Sequence, residues 1–309
     1  MTPAAPPGVV LSETVAGALR DALPLVALES TIITHGLPRP ENAQAAREFE
    51  EAVVERGAVP ATIAMLDGVP HVGLEAEGLE RLAGSDAAVK LSVRDLPVAM
   101  AQGTTGGTTV AATALLAAQA GIRVFATGGI GGVHRDAAST FDESADLGIL
   151  GRCRITVVSA GVKSILDIAA TLERLETLSV PVLVFGTDRF PAFWLNDSGY
   201  TVDHPVTSAE EIAGVMRAAD ALELPGGILV ANPLPESAQL DPALHDRLLA
   251  EALAAAEAGS VRGKAVTPFL LEYMHEHTGR ASVAVNLDIV RGNCALGADI
   301  ARAWATPSG

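Results

Sequence analysis

At 309 residues, 49% hydrophobic and only 4% aromatic, with 30 glycines, the chain can bury a large core of small side chains and is not a disordered segment. Its formal net charge of −16 argues against affinity for nucleic acid polymers or anionic membrane surfaces, because the electrostatic term is repulsive. A small phosphorylated ligand is still allowed, since it needs only a local positive pocket.

Residues 1–11 carry Pro3, Pro6 and Pro7 and read as a loose lead-in. They show no basic region followed by a long apolar segment, and no apolar run anywhere approaches the ~20 residues of a membrane helix. A soluble, cytoplasmic protein is the expectation. A short helix over 12–22 completes a lead-in of residues 1–23, and a single domain is expected over 24–305. The run 24–33 (PLVALESTII) is the first strand signal, interrupted by Glu29. A carboxylate at an apolar strand end is costly unless paired or protonated, which favours a site residue over an edge ion pair.

Residues 42–56 have helical spacing and stop at Gly57. The runs 61–66 and 69–74 flank Asp67-Gly68 and predict a β-hairpin. A short helix over 74–83 precedes a strand over 87–91, which carries Lys90. Gly103-Thr-Thr-Gly-Gly-Thr-Thr109 then leads into an apolar helix over 110–120. Glycines and hydroxyls before a helix resemble an anion cradle. The segment lacks the Gly-Lys-Ser/Thr of a P-loop and is not a GxGxxG dinucleotide fingerprint.

A strand over 122–126 feeds a loop with Gly128, Gly129, Gly131, Gly132, His134, Arg135 and four acids, through Asp146. Backbone amides in such a loop can approach an anion, and its acids can approach a metal or a polar substrate. A helical turn is expected over 147–150 and a strand over 154–159. Cys153 and the distant Cys294 lack metal-ligand spacing and read as buried thiols. The amphipathic run 164–175 predicts a helix, so Lys163 is expected at a helix N-terminus. There the dipole would favour the neutral amine that Schiff-base chemistry needs. Strands over 180–185 and 227–231 and helices over 208–219, 241–258, 267–277 and 282–304 complete the chain. Asn286 and Asn293 are polar residues on the last helix, and Asn286 reads equally as a pocket contact or a packing amide.

Alternating strands and helices predict an α/β fold, an α/β/α sandwich with a mostly parallel or mixed central sheet. Ligands in such folds bind beyond the C-terminal ends of strands. Glu29, Lys90, the loop from Thr127 to Asp146, and Lys163 all fall at or just after strand ends. These residues fit a phosphorylated carbonyl or sugar substrate: Lys90, His134 and the glycine loop for phosphate, the acids for a divalent cation, Lys163 for an imine and Glu29 as proton donor. An aldolase or another imine-forming lyase would use the same parts.

Ordered blocks of sequence narrow the choice. ALESTIITHGLPRPEN at 27–42, AVKLSVRDLP at 88–97, GTTGGTTVAAT at 103–113 and ATGGIGGVHR at 126–135 come first. FDESADL at 141–147, VSAGVKSILDI at 158–168, FGTDRFPAFW at 185–194, ANPLP at 231–235 and NLDIVRGN at 286–293 follow. Together they closely resemble the pseudouridine-5′-phosphate glycosidases, the indigoidine-synthase-A-like family, over about residues 24–305. The resemblance implies reversible cleavage of the C–C glycosidic bond of pseudouridine 5′-phosphate to uracil and ribose 5-phosphate. It also implies a manganese-type divalent ion (Mn2+ or another), an α/β/α fold and a homotrimer. By the same resemblance Glu29 is the proton donor, Lys163 the imine-forming lysine and Asp142 the metal ligand. Lys90, Val110, Ser144, Ala145 and Asp146 are substrate contacts, Thr127 and His134 phosphate contacts, and Asn286 a base contact.

Overall fold

The computed structural model describes residues 7–261, 266–279 and 281–306. Residues 1–6 of the expected lead-in lie outside them. The strands, in chain order, are β1 (Val10–Leu11), β2 (Leu25–Leu28), β3 (Val59–Leu66), β4 (Val69–Val72), β5 (Val89–Leu91) and β6 (Gly106–Thr108). They continue with β7 (Val124–Ala126), β8 (Thr156–Ser159), β9 (Val182–Phe185), β10 (His204–Val206) and β11 (Ile228–Ala231). The helices begin with α1 (Glu13–Arg20), α2 (Glu41–Glu55), α3 (Ala76–Gly84), α4 (Leu96–Gln102), α5 (Val110–Ala120) and α6 (Ala137–Thr140). The rest are α7 (Ala145–Leu150), α8 (Ile168–Thr177), α9 (Ala209–Ala221), α10 (Pro242–Ala258), α11 (Val266–His277) and α12 (Ala281–Ala305).

The fold is the expected α/β architecture. Its centre is a parallel run of strands in the order β3-β2-β7-β8-β11-β9-β10. Strand β3 belongs to two sheets. Its first half pairs with β2 in parallel, and its second half pairs antiparallel with β4 and β6. Strands β1 and β5 extend this second, mixed part. The β3–β4 connection is the predicted hairpin, with Asp67 at φ 50° and Gly68 at φ 77°. Two positive φ values are what a tight primed turn requires.

The central strands are buried along their whole length: β2, β7, β8 and β11 expose no residue. That is the pattern of a sheet covered on both faces. One face is packed by α5 and α7, the other by α2, α9 and α12. The small side chains of α5 (VAATALLAAQA) let it lie close to the sheet, and eight of its eleven residues are buried.

Two departures from the predicted elements matter for the site. Strand β2 ends at Leu28, and the following TII segment coils into a π-helical turn over Ile32–Gly36 instead of extending the strand. Helix α8 begins at Ile168, capped by Asp167, rather than at residue 164. Residues 160–167 instead form isolated bridges to Ile130, Val133 and Ala192.

Candidate active site

Strands β2, β7 and β8 are consecutive in the sheet although they are far apart in the chain. Their register aligns Leu28 with Ala126, and Ala126 with Val158. Glu29, Thr127 and the segment leading to Lys163 therefore leave the sheet side by side at its C-terminal edge. This is where parallel α/β sheets bind ligands.

Glu29 accepts a short hydrogen bond from the Thr127 hydroxyl. Burial raises its carboxyl above the ordinary glutamate value, and the Asp146 charge adds to that; Lys163, the Thr127 bond and Lys90 act in the opposite direction. A carboxyl held toward its protonated form is suited to donate a proton. Lys90, at the rim, is pulled below the ordinary lysine value by burial and by Lys163, against Glu29 and Asp146. Its side chain is exposed by surface area, so this depression is screened by solvent. Glu29, Lys90, Lys163 and Asp146 thus form one electrostatically coupled cluster. The chain has only three lysines, at 90, 163 and 264, against eighteen arginines. Two of the three stand in this cluster, a compositional signal legible without a structure. Lys264 lies outside the described residues.

The glycine-rich loop is built around Asp146. Its Oδ1 accepts from the Ala111 amide in the first turn of α5 at 2.9 Å, and its Oδ2 accepts from the Gly131 amide at 2.8 Å. Thr109 caps the same helix through Ala112. The expected anion cradle at 103–109 is thus answered from within: the anion at this helix N-terminus is the protein's own carboxylate. Gly106, Gly107 and Thr108 form strand β6, locked by Ser30 and Thr108 onto the Ile63 carbonyl. Glycine is required at 131, where a Cβ would lie 2.3 Å from the Ser144 hydroxyl and 3.0 Å from Asp146. Ser144 caps α7 and accepts from the Asp146 amide. Val110 is buried at the α5 N-terminus, and Ala145 is exposed at the start of α7.

His134 and Asp142 close the far end of the loop. The His134 amide donates to the Asp142 carbonyl at 3.0 Å, and the ring Nδ1 lies 3.9 Å from the carboxylate. Glu143 is paired with Arg174, and both oxygens of Asp146 are engaged. That leaves Asp142, half-buried, as the acid of the FDESAD segment suited to a cation. Among the described residues no group of three or more His, Cys, Asp and Glu could hold a metal ion. One carboxylate suits a hard divalent ion that keeps waters and takes oxygens from a bound phosphate, rather than an all-protein cage.

Lys163 does not sit at a helix N-terminus. Helix α8 starts five residues later, so no helix dipole acts on the amine as the sequence pattern implied. Asn286 is buried, accepting from the Trp194 indole at 2.6 Å and lying 3.3 Å from His275 Nε2. Sequence reasoning gave no role to Asn293, which donates to the carbonyls of Thr127 at 2.7 Å and Gly128 at 3.3 Å and accepts from Asn232. It fixes the first turn of the glycine loop. Its signal was a polar residue on the apolar face of a long helix. Two clefts, of about 330 and 300 Å3, open elsewhere, one between α2 and α12 and one beside α1, α2 and α3; neither is lined by Glu29, Lys90 or Lys163.

Fold and site together define an α/β enzyme with an ionisable cluster at the C-terminal edge of a parallel sheet. The chain belongs to the indigoidine synthase A like protein family, whose model matches residues 14–303. It is 60% identical over 297 residues to the pseudouridine-5′-phosphate glycosidase of Frankia alni, covering 96% of this chain and 82% of that protein. The corresponding protein of Saccharopolyspora erythraea is 57% identical, with 96% and 98% covered. Among solved structures, the prealnumycin C-glycosynthase AlnA in complex with ribulose 5-phosphate superposes with a TM-score of 0.90 at 36% identity, covering 97% and 98%. An indigoidine synthase A-like protein from Thermotoga maritima gives a TM-score of 0.85 at 35% identity, covering 95% and 96%.

Proposed function

We infer that this chain is a pseudouridine-5′-phosphate glycosidase that reversibly cleaves the C–C bond between ribose 5-phosphate and uracil. Full-length identity of 50–60% to eight glycosidases of that name supports the activity. The observation that carries the chemistry is that Glu29 and Lys163 follow β2 and β8, the two strands flanking β7, at the same edge of the sheet, with Glu29 held toward its protonated form.

Carbon is a poor leaving group, so a two-carboxylate oxocarbenium route would expel an unstabilised carbanion. A lysine provides an alternative. The Lys163 amine attacks C1′ and displaces the ring oxygen, which takes the proton of Glu29. The nitrogen, still bonded to C1′, gives its extra proton to the Glu29 carboxylate and so regains a lone pair, and the same proton is then available for uracil C5. Protonation of uracil C5 then lets the C1′–C5 bond break as an iminium forms on Lys163, and water releases ribose 5-phosphate and the free amine. Thr127 orients Glu29 through its hydroxyl. His134, Thr127 and the glycine-loop amides face the phosphate, Lys90 the rim of the sugar, and Val110 and residues 144–146 the remaining substrate surface. Asn286, held by Trp194 and His275, contacts the base.

Asp142 holds a divalent ion, Mn2+ or another hard cation, whose charge would steady the phosphate and the open-chain sugar when bound. The working assembly is a cytoplasmic homotrimer acting on small molecules alone. Among the described residues no helix is long and apolar enough to cross a membrane. The likeness to AlnA favours one alternative, C-glycoside formation with a different acceptor ring.

The test is uracil release from pseudouridine 5′-phosphate, with and without manganese, beside borohydride trapping with ribose 5-phosphate. Wild type should release uracil and gain the sugar mass at Lys163, and Lys163→Ala should do neither while staying folded. Full turnover by Lys163→Ala would remove the imine. Absence of uracil release, with activity on another C-nucleotide, would select the alternative.

A further inference from the structure

Lys163 lies in an irregular segment, so something other than a helix must hold its side chain on line. Three ties do this. The Lys163 amide donates to the Ile130 carbonyl at 3.2 Å. Arg135 donates to the carbonyls of Ser164 at 3.0 Å and Ile165 at 3.2 Å. The Ser164 hydroxyl meets His245 Nε2 at 2.8 Å. His245 comes from α10, more than eighty residues away in sequence.

His245 is only 3% exposed and Ser164 only 2%. The other ring nitrogen, Nδ1, lies 3.0 Å from the Asp246 carboxylate, and Trp194 packs against the ring at 6.2 Å in an edge-on arrangement. Asp246 favours the proton on Nδ1, which leaves Nε2 to accept from the Ser164 hydroxyl. The order Ser-His-Asp matches an acyl-transfer triad. A nucleophilic role conflicts with its burial: Ser164 is 2% exposed, its hydroxyl taken up by His245.

The geometry points to a different use: we propose that His245 is a positioning residue for the Lys163 amine, acting through Ser164. The proposal rests on the reading of Lys163 as the imine-forming residue. Val162 and Ser164, either side of Lys163, are both buried, at 0% and 2% exposure, while Lys163 itself is half-exposed. Ser164 lies in the turn in which the Leu166 amide donates to the Lys163 carbonyl at 2.9 Å, so Lys163 and Ser164 move together. Rotation at Ser164 would swing the lysine away from Glu29, and the hydrogen bond to His245 opposes that rotation. Asp246, exposed at 78%, contributes through the ring tautomer rather than through buried charge.

The experiment uses the full-length enzyme and exploits its three lysines. Acetic anhydride labelling followed by mass spectrometry gives the reactivity of Lys163 relative to Lys90. Four proteins are compared with wild type: His245→Phe, which fills the ring volume without the hydrogen bond, Ser164→Ala, their double variant, and His245→Gln, which keeps a polar atom near the Nε2 position. Melting temperature is recorded for each. In His245→Phe and Ser164→Ala the Lys163 to Lys90 ratio should shift by about threefold or more, and kcat for uracil release should fall about 10- to 100-fold with KM changed less. The double variant should be no worse than the worse single variant, because both remove one interaction. His245→Gln should recover most of the loss, which a purely structural role does not predict.

A folded His245→Phe or Ser164→Ala with the wild-type labelling ratio and wild-type kcat overturns the proposal. Additive losses in the double variant also overturn it. Failure of the underlying reading is separable: wild type that forms no borohydride adduct at Lys163 removes the imine, while the labelling ratio still decides whether His245 positions this lysine.

Discussion

Asp146 offers a sharp separation between scaffold and chemistry. It is 6% exposed, and its two oxygens accept from the Ala111 and Gly131 amides at 2.9 and 2.8 Å. Each is a hydrogen bond to a charged acceptor, worth about 1.5–3 kcal/mol. The α5 dipole adds up to about 1 kcal/mol at the Ala111 end. Asp146→Ala removes both bonds and strands two amides, so a loss of about 3–6 kcal/mol is expected. Asp146→Asn keeps one acceptor but turns an amide NH2 toward one of the two donors, so about 2–3 kcal/mol should be lost. Urea unfolding followed by circular dichroism measures both, with the m-value checked for constancy. The order Ala, then Asn, then wild type is the signature. A loss below about 1 kcal/mol for Asp146→Ala would refute the clamp.

Other outcomes follow from the site. Burial raises the Glu29 carboxyl, so the folded state holds its proton to higher pH than the unfolded chain does. Stability from this group is full below the ordinary glutamate range and lost as pH rises through the raised value. Glu29→Gln removes that loss, so its melting temperature should gain on wild type as pH rises from about 4 to about 8; a constant difference across this range would contradict the raised carboxyl. The same variant should lose turnover far more than substrate binding, measured by kcat against the dissociation constant for ribose 5-phosphate. Asp142→Ala should weaken manganese binding by about tenfold or more in calorimetry while leaving the fold unchanged; wild-type affinity would place the metal elsewhere.

Much of this site was legible before any coordinates. Glu29 stood out because an acid closing an apolar strand is costly without a purpose, and the structure puts it at the mouth of the sheet, bonded to Thr127. The Asp67-Gly68 turn was legible because two positive φ angles leave few residue choices. The helix start that the sequence pattern sets beside Lys163 is not kept: α8 begins at Ile168. The amphipathic pattern of 164–175 reads as a helix from its start, yet the bridges to Ile130, Val133 and Ala192 hold the first residues in an irregular course. The glycines at 106 and 107 looked like an anion cradle and became a strand, because Ser30 and Ile63 supply hydrogen-bond partners that local sequence does not display.

The sequence by itself determined the alternation of strands and helices, the covered parallel sheet, and the residue types set at strand ends. Periodicity encodes which face of an element is buried, and a charge out of pattern marks a site. Only the tertiary structure decided that β2, β7 and β8 lie side by side, and so that Glu29 and Lys163 share one edge of the sheet. It alone assigned the α5 N-terminus to Asp146, the loop carbonyls to Asn293 and the Ser164 hydroxyl to His245. The reason is physical. Strand order and buried polar pairing are settled by competition among segments distant in the chain, and no local pattern records which partner wins.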